Sequence, residues 1–425
     1  MFADRIITHI DHLYTTEDQP PLRKEALARI RVFDDAYIAF KDGLIYDLGT
    51  GDHDHLIGER TILHDGRQTI ALPGLIDSHT HLVHGGSRED EYERLLEGTP
   101  YLDILAAGGG IHGTVERTRK ASFEELYQKA FSSLDRMMLY GVTMVEGKSG
   151  YGLETKTEFK QLRVMKRLNE VHPVEIIATA MAAHALPRGI DHTAYIESVI
   201  NDLPRIKQEN LATAVDVFCE TGVYSLAETK RILTEAKELG FDVKLHADEI
   251  DPLGGAGLAV ELGASSADHL MAISAQDITA MSKSDTIANL LPGTSFYLDK
   301  PYAPARTMIE QGVAVAVSGD YNPGSCPTEN FQLIMQLAAN KLKMTPIEVL
   351  NAVTANAAYH LNAFDRVGSL AVGKRGNVVL MRAPNLSYAF YHFGINHTKD
   401  VFIDGVPTVI DQHITRRKEH ERTHG

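Results

Sequence analysis

The chain has 425 residues, 44% of them hydrophobic, which allows a large core and either two or three domains or one α/β barrel filling well over half of the length. With 57 acidic and 42 basic residues the net charge is −15, a balance that repels phosphates and argues against a nucleic-acid partner. Two cysteines, Cys219 and Cys326, make no disulfide framework, no run approaches the ~20 apolar residues of a bilayer span, and "MFADRIITHIDHLYTTED" is too charged and too short of apolar residues for a signal peptide, so the expectation is a cytoplasmic protein with no membrane partner.

In chain order, the first ~70 residues read as short strands, "DRIITHI", "DAYIAFKDGLIYDLG" and "RQTIALPG", with "KDG" favouring a tight turn. The texture then changes. "GLIDSHTH", "VTMVEG", "IIATAMAAH", "AVDVFCE", "DVKLHADE", "SADHL", "TIANLLPG" and "VAVAVSGD" are apolar runs of strand length. Helical segments such as "SFEELYQKAFSSLDRMMLYG" and "SLAETKRILTEAKELG" fall between them. That alternation predicts parallel βα units, about eight of them, the number that closes a (β/α)₈ barrel. Beyond the barrel, "VGSLAVGKRGNVVLMRA" and "DVFIDGVPTVID" are again β-rich, and residues near 371–413 are expected to pair with the N-terminal strands in one small β domain. There is no short-period repeat and no low-complexity segment.

Polar residues gather at one end of the predicted barrel strands: His79, His81, Glu146, His184, Glu220, His246, His269 and Asp320. In a parallel barrel those ends share the face on which active sites are built. His79 and His81 stand at i and i+2, on one side of a strand, as a chelating pair would. His246 offers a third ligand and Asp320 a fourth, although a lone strand-end aspartate more often caps a helix. Three histidines and a carboxylate suit zinc or iron better than magnesium or calcium, which prefer oxygen. Glu249, three residues after His246, is placed to carry a proton, and His269 to orient water or stabilise an oxyanion. Arg88 follows the first metal strand and either holds a carboxylate or pairs with the neighbouring "EDEYE" acids. His84 reads as a loop histidine. Tyr101 and Tyr151 close the pocket or simply pack, and Gly108, Gly109 and Gly110 permit a tight loop that is not a phosphate-binding pattern.

"PGLIDSHTHLVHGG", "HADE", "SADHL" and "SGDYNPG", in this order, resemble the amidohydrolase superfamily. The resemblance implies a metal-binding (β/α)₈ barrel, residues 71–366, with a small β-sandwich domain built from both chain ends, residues 1–70 and 367–425. Longer blocks, "HGGSREDEYERLLEGTPYLDILAAGGGIHGTVERTR", "VEGKSGYGL", "LHADEIDPLGGAGLAVELGASSADHL" and "KPYAPARTMIEQGVAVAVSGDYNPGSCPTEN", closely resemble its branch that acts in histidine degradation. That likeness runs from about residue 70 to the C-terminal region. It implies hydrolytic opening of the 4-imidazolone-5-propanoate ring to N-formimidoyl-L-glutamate. Carried over by motif, His79, His81, His246 and Asp320 are the metal ligands. Arg88, Tyr151, His184 and Glu249 contact substrate, as does the "NPGS" loop through Asn322, Gly324 and Ser325. Many relatives hold two metals with a modified lysine at the end of a middle strand. This chain has His184 there, so one zinc or iron ion per subunit is expected, with Lys148 structural or supporting the ligands from behind. A homodimer is the family expectation. A mononuclear cytosine- or guanine-type deaminase shares H-x-H, H-x-x-E and the late aspartate. Arg88 with "GGGI" and "NPGS" instead suits a ligand that bears a carboxylate. A non-catalytic scaffold of this family would show gaps among the metal residues, and there are none.

Overall fold

The computed structural model describes residues 2–98 and 109–415. Tyr101 and Gly108 lie outside the described residues. The N-terminal strands are β1 (Arg5–Thr15), β2 (Arg31–Lys41), β3 (Leu44–Thr50), β4 (Ile62–Asp65) and β5 (Ile70–Pro73). Eight more follow in the centre of the chain: β6 (Leu75–Thr80), β7 (Val142–Lys148), β8 (Glu175–Ala183), β9 (Ala214–Cys219), β10 (Asp242–Ala247), β11 (Ser266–His269), β12 (Ile287–Leu290) and β13 (Val315–Val317). The C-terminal strands are β14 (Val378–Met381), β15 (Thr398–Ile403), β16 (Val406–Ile410) and β17 (His413–Ile414).

The "KDG" turn forms as the sequence predicts. Asp42 and Gly43 have φ of 51° and 81°, the left-handed pair that a type I′ hairpin demands, and they join β2 to β3. Asp404 and Gly405 repeat the device between β15 and β16, at 51° and 67°. The two chain ends meet where β14 pairs antiparallel with β5, making one nine-stranded mixed sheet. Phe40 on β2 and Phe402 on β15 stack with centroids 6.0 Å apart. Four strand spacings separate them along the sheet, about 19 Å if it were flat, so the sheet curls over its own core in the manner of a sandwich. Ile7, Ile38, Val378 and Leu380 pack in that core.

Strands β6 to β13 form a parallel sheet in chain order. The first and last are stitched by the chain just beyond β13. Asp320 N donates to His79 O at 3.0 Å, His81 N to Tyr321 O at 2.8 Å, and Gly319 N to the Asp77 carboxylate at 2.8 Å. The result is a (β/α)₈ barrel. Its outer helices begin where the sequence signals them: Phe123–Leu139 behind a capping box of Ser122 and Glu125, and Leu226–Glu238 behind one of Ser225 and Glu228. Leu134, Leu162 and Ile232 on helices pack with Val145 and Leu245 on strands in the main core.

A junction at residue 71 cuts through β5, which pairs with β1 and β14 and belongs to the small sheet. As an interior strand it is buried throughout, and the "RQTIALPG" run that reads as an N-terminal strand continues past residue 70 to Pro73. The crossover falls at Gly74, and we place the division there.

Candidate metal centre and active site

The strand register brings the predicted residues to one level. His246 on β10 pairs with Asp268 on β11, and Ala247 with His269. Several of these strand ends turn inward through left-handed backbone: His269 has φ 77°, Asp248 49° and Asp320 55°. Non-glycine residues pay for that conformation and tend to keep it at functional sites. His79 Nε2 and His81 Nε2 lie 3.6 and 3.8 Å from Asp320 Oδ1. Three overlapping groups have ligand atoms within 4.8 Å of one another: His79, His81 and Asp320; His79, His246 and His269; His81, His184 and His246. All are buried.

The hydrogen bonds show which nitrogens are spoken for. His79 Nδ1–H donates to Asp268 at 2.6 Å, and His246 Nδ1–H to Asp216 at 3.1 Å. The opposite nitrogens, Nε2 of both rings, are buried with no partner. An imidazole oriented by a carboxylate on one side and bare on the other is the arrangement of a metal ligand. The donor set thus fits a borderline divalent ion. Burial first, then neighbouring cationic groups, pushes His79 and His81 well below the usual histidine range, which keeps them in the neutral form that coordinates. Burial pulls on His246 too, but the Asp216 carboxylate outweighs it and raises the ring.

Glu249 sits beside this group, its Oε2 3.6 Å from His269 Nε2. Burial lifts its carboxyl to about 7 and lowers His269 to about 3. The loop that carries Glu249 is pinned on both sides. Glu220 accepts from Ile250 N at 2.9 Å, and Asp248 from Gly254 N and Ala256 N at 2.8 and 2.9 Å. Glu220 thus holds the loop and Glu146 lies below it against Lys148 and Lys244.

His184 stacks on His81, centroids 4.6 Å apart and nearly parallel, and donates from Nδ1 to Gly150 O at 3.1 Å. Tyr151 packs on both rings, 5.6 Å from His81 and 5.2 Å from His184. His84 is in a loop but buried, its Nδ1–H on His81 O at 2.9 Å. Arg88 is half-buried, with Nε donating to Thr114 at 2.8 Å. A Cβ on Gly324 would strike its guanidinium. Asn322 spends its amide inside its own loop, accepting from Gly324 N and Ser325 N at 2.8 Å and donating to Asp320 O at 2.7 Å. Ser325 Oγ reaches Asp320 at 3.4 Å, and Thr294 hydrogen-bonds the same carboxylate.

The sequence reading missed Asp216, Asp268, Lys244 and Thr294. Asp216 in "AVDVFCE" and Asp268 in "SADHL" are acids inside apolar strands, and that oddity was the available signal.

A profile of the amidohydrolase family matches residues 70–408. The chain belongs to the amidohydrolase family. An imidazolonepropionase of Streptococcus pyogenes serotype M12 is 49% identical over 415 residues, 96% of this chain and 99% of its own length. Among solved structures, this amidohydrolase is similar to a zinc-bound adenosine deaminase of Xanthomonas campestris, at TM-score 0.73 and 18% identity over 97% and 94% of the two chains. It is also similar to E. coli guanine deaminase, at TM-score 0.74 and 14% identity over 97% and 99%. At such identities the deaminases speak for the amidohydrolase fold alone. Among the described residues no helix is long and apolar enough to cross a membrane.

Proposed function

We propose that this amidohydrolase is an imidazolonepropionase, opening the ring of 4-imidazolone-5-propanoate with water to give N-formimidoyl-L-glutamate. The observation that carries this is the 49% identity over nearly the whole chain to imidazolonepropionases. His79, His81, His246 and Asp320 hold one zinc or iron ion in this reading. Such an ion supplies the Lewis acidity that makes water nucleophilic near neutral pH. Glu249, poised near neutrality, takes the proton of the attacking water and hands it to the ring nitrogen that leaves. Neutral His269 donates a hydrogen bond to the developing oxyanion. Arg88 receives the propionate as a bidentate partner, and glycine at 324 leaves room for the guanidinium. Tyr151 and His184 wall the pocket on the His81 side, while Asn322 and Ser325 order the loop beside Asp320. A homodimer in the cytoplasm completes the proposal, and sedimentation tests the assembly.

The test is an absorbance assay following loss of freshly made imidazolonepropionate, with and without chelator. Chelator-sensitive turnover is expected. Ammonia release from cytosine or guanine, with imidazolonepropionate untouched, would select the deaminase instead.

A further inference from the structure

Beneath the imidazoles lies a buried group of charges that the ring-opening reaction does not itself use. Lys148 ends β7 with its side chain fully buried. Its Nζ lies 2.6 Å from Asp216, 3.2 Å from Glu146 and 3.4 Å from Asp268. An ammonium has three hydrogens to give, and three carboxylates surround this one. The geometry is more specific than charge balance. The Asp268 oxygen nearest Lys148 is Oδ2, the oxygen that receives the His79 ring. The Asp216 oxygen on Lys148 is also Oδ2, and the His246 ring lies 3.1 Å from it. One lysine therefore touches the very atoms that orient two imidazoles from strands on different sides of the barrel. Lys244, 2.9 Å from Glu146, balances the third carboxylate.

We propose that Lys148 is a positioning residue that clamps Asp216 to Asp268 and so sets His246 and His79 as one coupled unit. Without a shared cation, two buried aspartates would repel each other and each would orient its histidine alone. With it, disturbing either aspartate releases the lysine and loosens both rings. The inference rests on the metal-site reading above.

The test is Co²⁺ affinity, titrated against a chelator and followed by the visible absorption of the bound ion, so that no turnover is needed. Asp216→Asn and Asp268→Asn are each expected to weaken binding by ~10–100-fold. The double variant should fall short of the product of the two losses by ~10-fold or more. Lys148→Met, which removes no metal-ligand contact, should weaken Co²⁺ by a similar ~10–100-fold. The two sets of variants are read independently, so either suffices if the other does not fold. A purely structural lysine would lower the melting temperature of the metal-free variants yet leave the aspartate losses multiplicative. Multiplicative losses, or a Lys148→Met protein that binds Co²⁺ within threefold of the parent, overturn the coupling. A parent that binds no Co²⁺, or binds it equally after His246→Ala, overturns the metal site instead.

Discussion

Glu249 is assigned the proton and Arg88 the propionate, so their removal should separate kinetically. Glu249→Gln keeps size and polarity but cannot act as a base. It should lower kcat by ~10²-fold or more, leave KM near the parent value and retain the metal. A kcat within a few-fold of the parent would pass the proton to His269. Arg88→Met should raise KM by roughly 10–100-fold, the worth of a charged hydrogen-bonded pair. Gly324→Ala is a subtler probe of the same contact: its methyl displaces the guanidinium, so KM should rise part of the way while kcat holds. The pH profile follows from the sign of the Glu249 shift. Burial raises its carboxyl to about 7, a base must be ionised, and activity should therefore fall as pH drops through that value. A bound divalent cation favours the carboxylate, so the acid limb should lie at or below ~7 in the loaded enzyme and vanish in Glu249→Gln. At this scale the sequence showed what sits on short motifs. H-x-H and "HADE" display His79, His81, His246 and Glu249 because spacing along a strand or its end is local. Asp216 and Asp268 take their meaning from histidines 30 and 189 residues away, and no local spacing encodes that.

Strands were legible by apolar runs and by turns. The eight barrel strands fall where their runs lie, and Asp-Gly marks hairpins because two successive left-handed residues are cheap only there. What the runs hide is the exact junction: "RQTIALPG" reads as an N-terminal strand, but "IALPGLI" runs on into β6 with no polar break, and only the pairing of β5 with β1 and β14 moves the division past residue 71 to Gly74. The closing seam was equally invisible, since β13 stops at Val317 and the stitching is done by Gly319 to Tyr321. It makes a prediction for Gly319→Ala. A Cβ there would come 2.5 Å from the Asp77 carboxylate, so urea unfolding should show a loss of ~1–3 kcal/mol, the usual cost of overpacking. The same stability as the parent would mean the seam has slack.

The whole molecule should register its ion. A ligand that binds only the folded chain stabilises it by ~4 kcal/mol at a thousandfold excess over Kd. Chelator-treated protein should melt at a lower temperature, lose turnover and regain both with Zn²⁺ or Fe²⁺, at about one ion per chain. A melting temperature indifferent to chelator would contradict the assignment. The sheet made from both chain ends carries a different consequence, one of timing. Strand β5 leaves the ribosome with β1 beside it, but its other edge waits for β14, about 300 residues later. At roughly 5–20 residues per second that is roughly 15–60 s of synthesis. Throughout it the nascent chain carries an open, apolar strand edge, the kind of surface that recruits either a chaperone or a neighbouring nascent chain. The small sheet cannot be finished before β14 has been made, whereas every strand of the barrel precedes β14 in the chain.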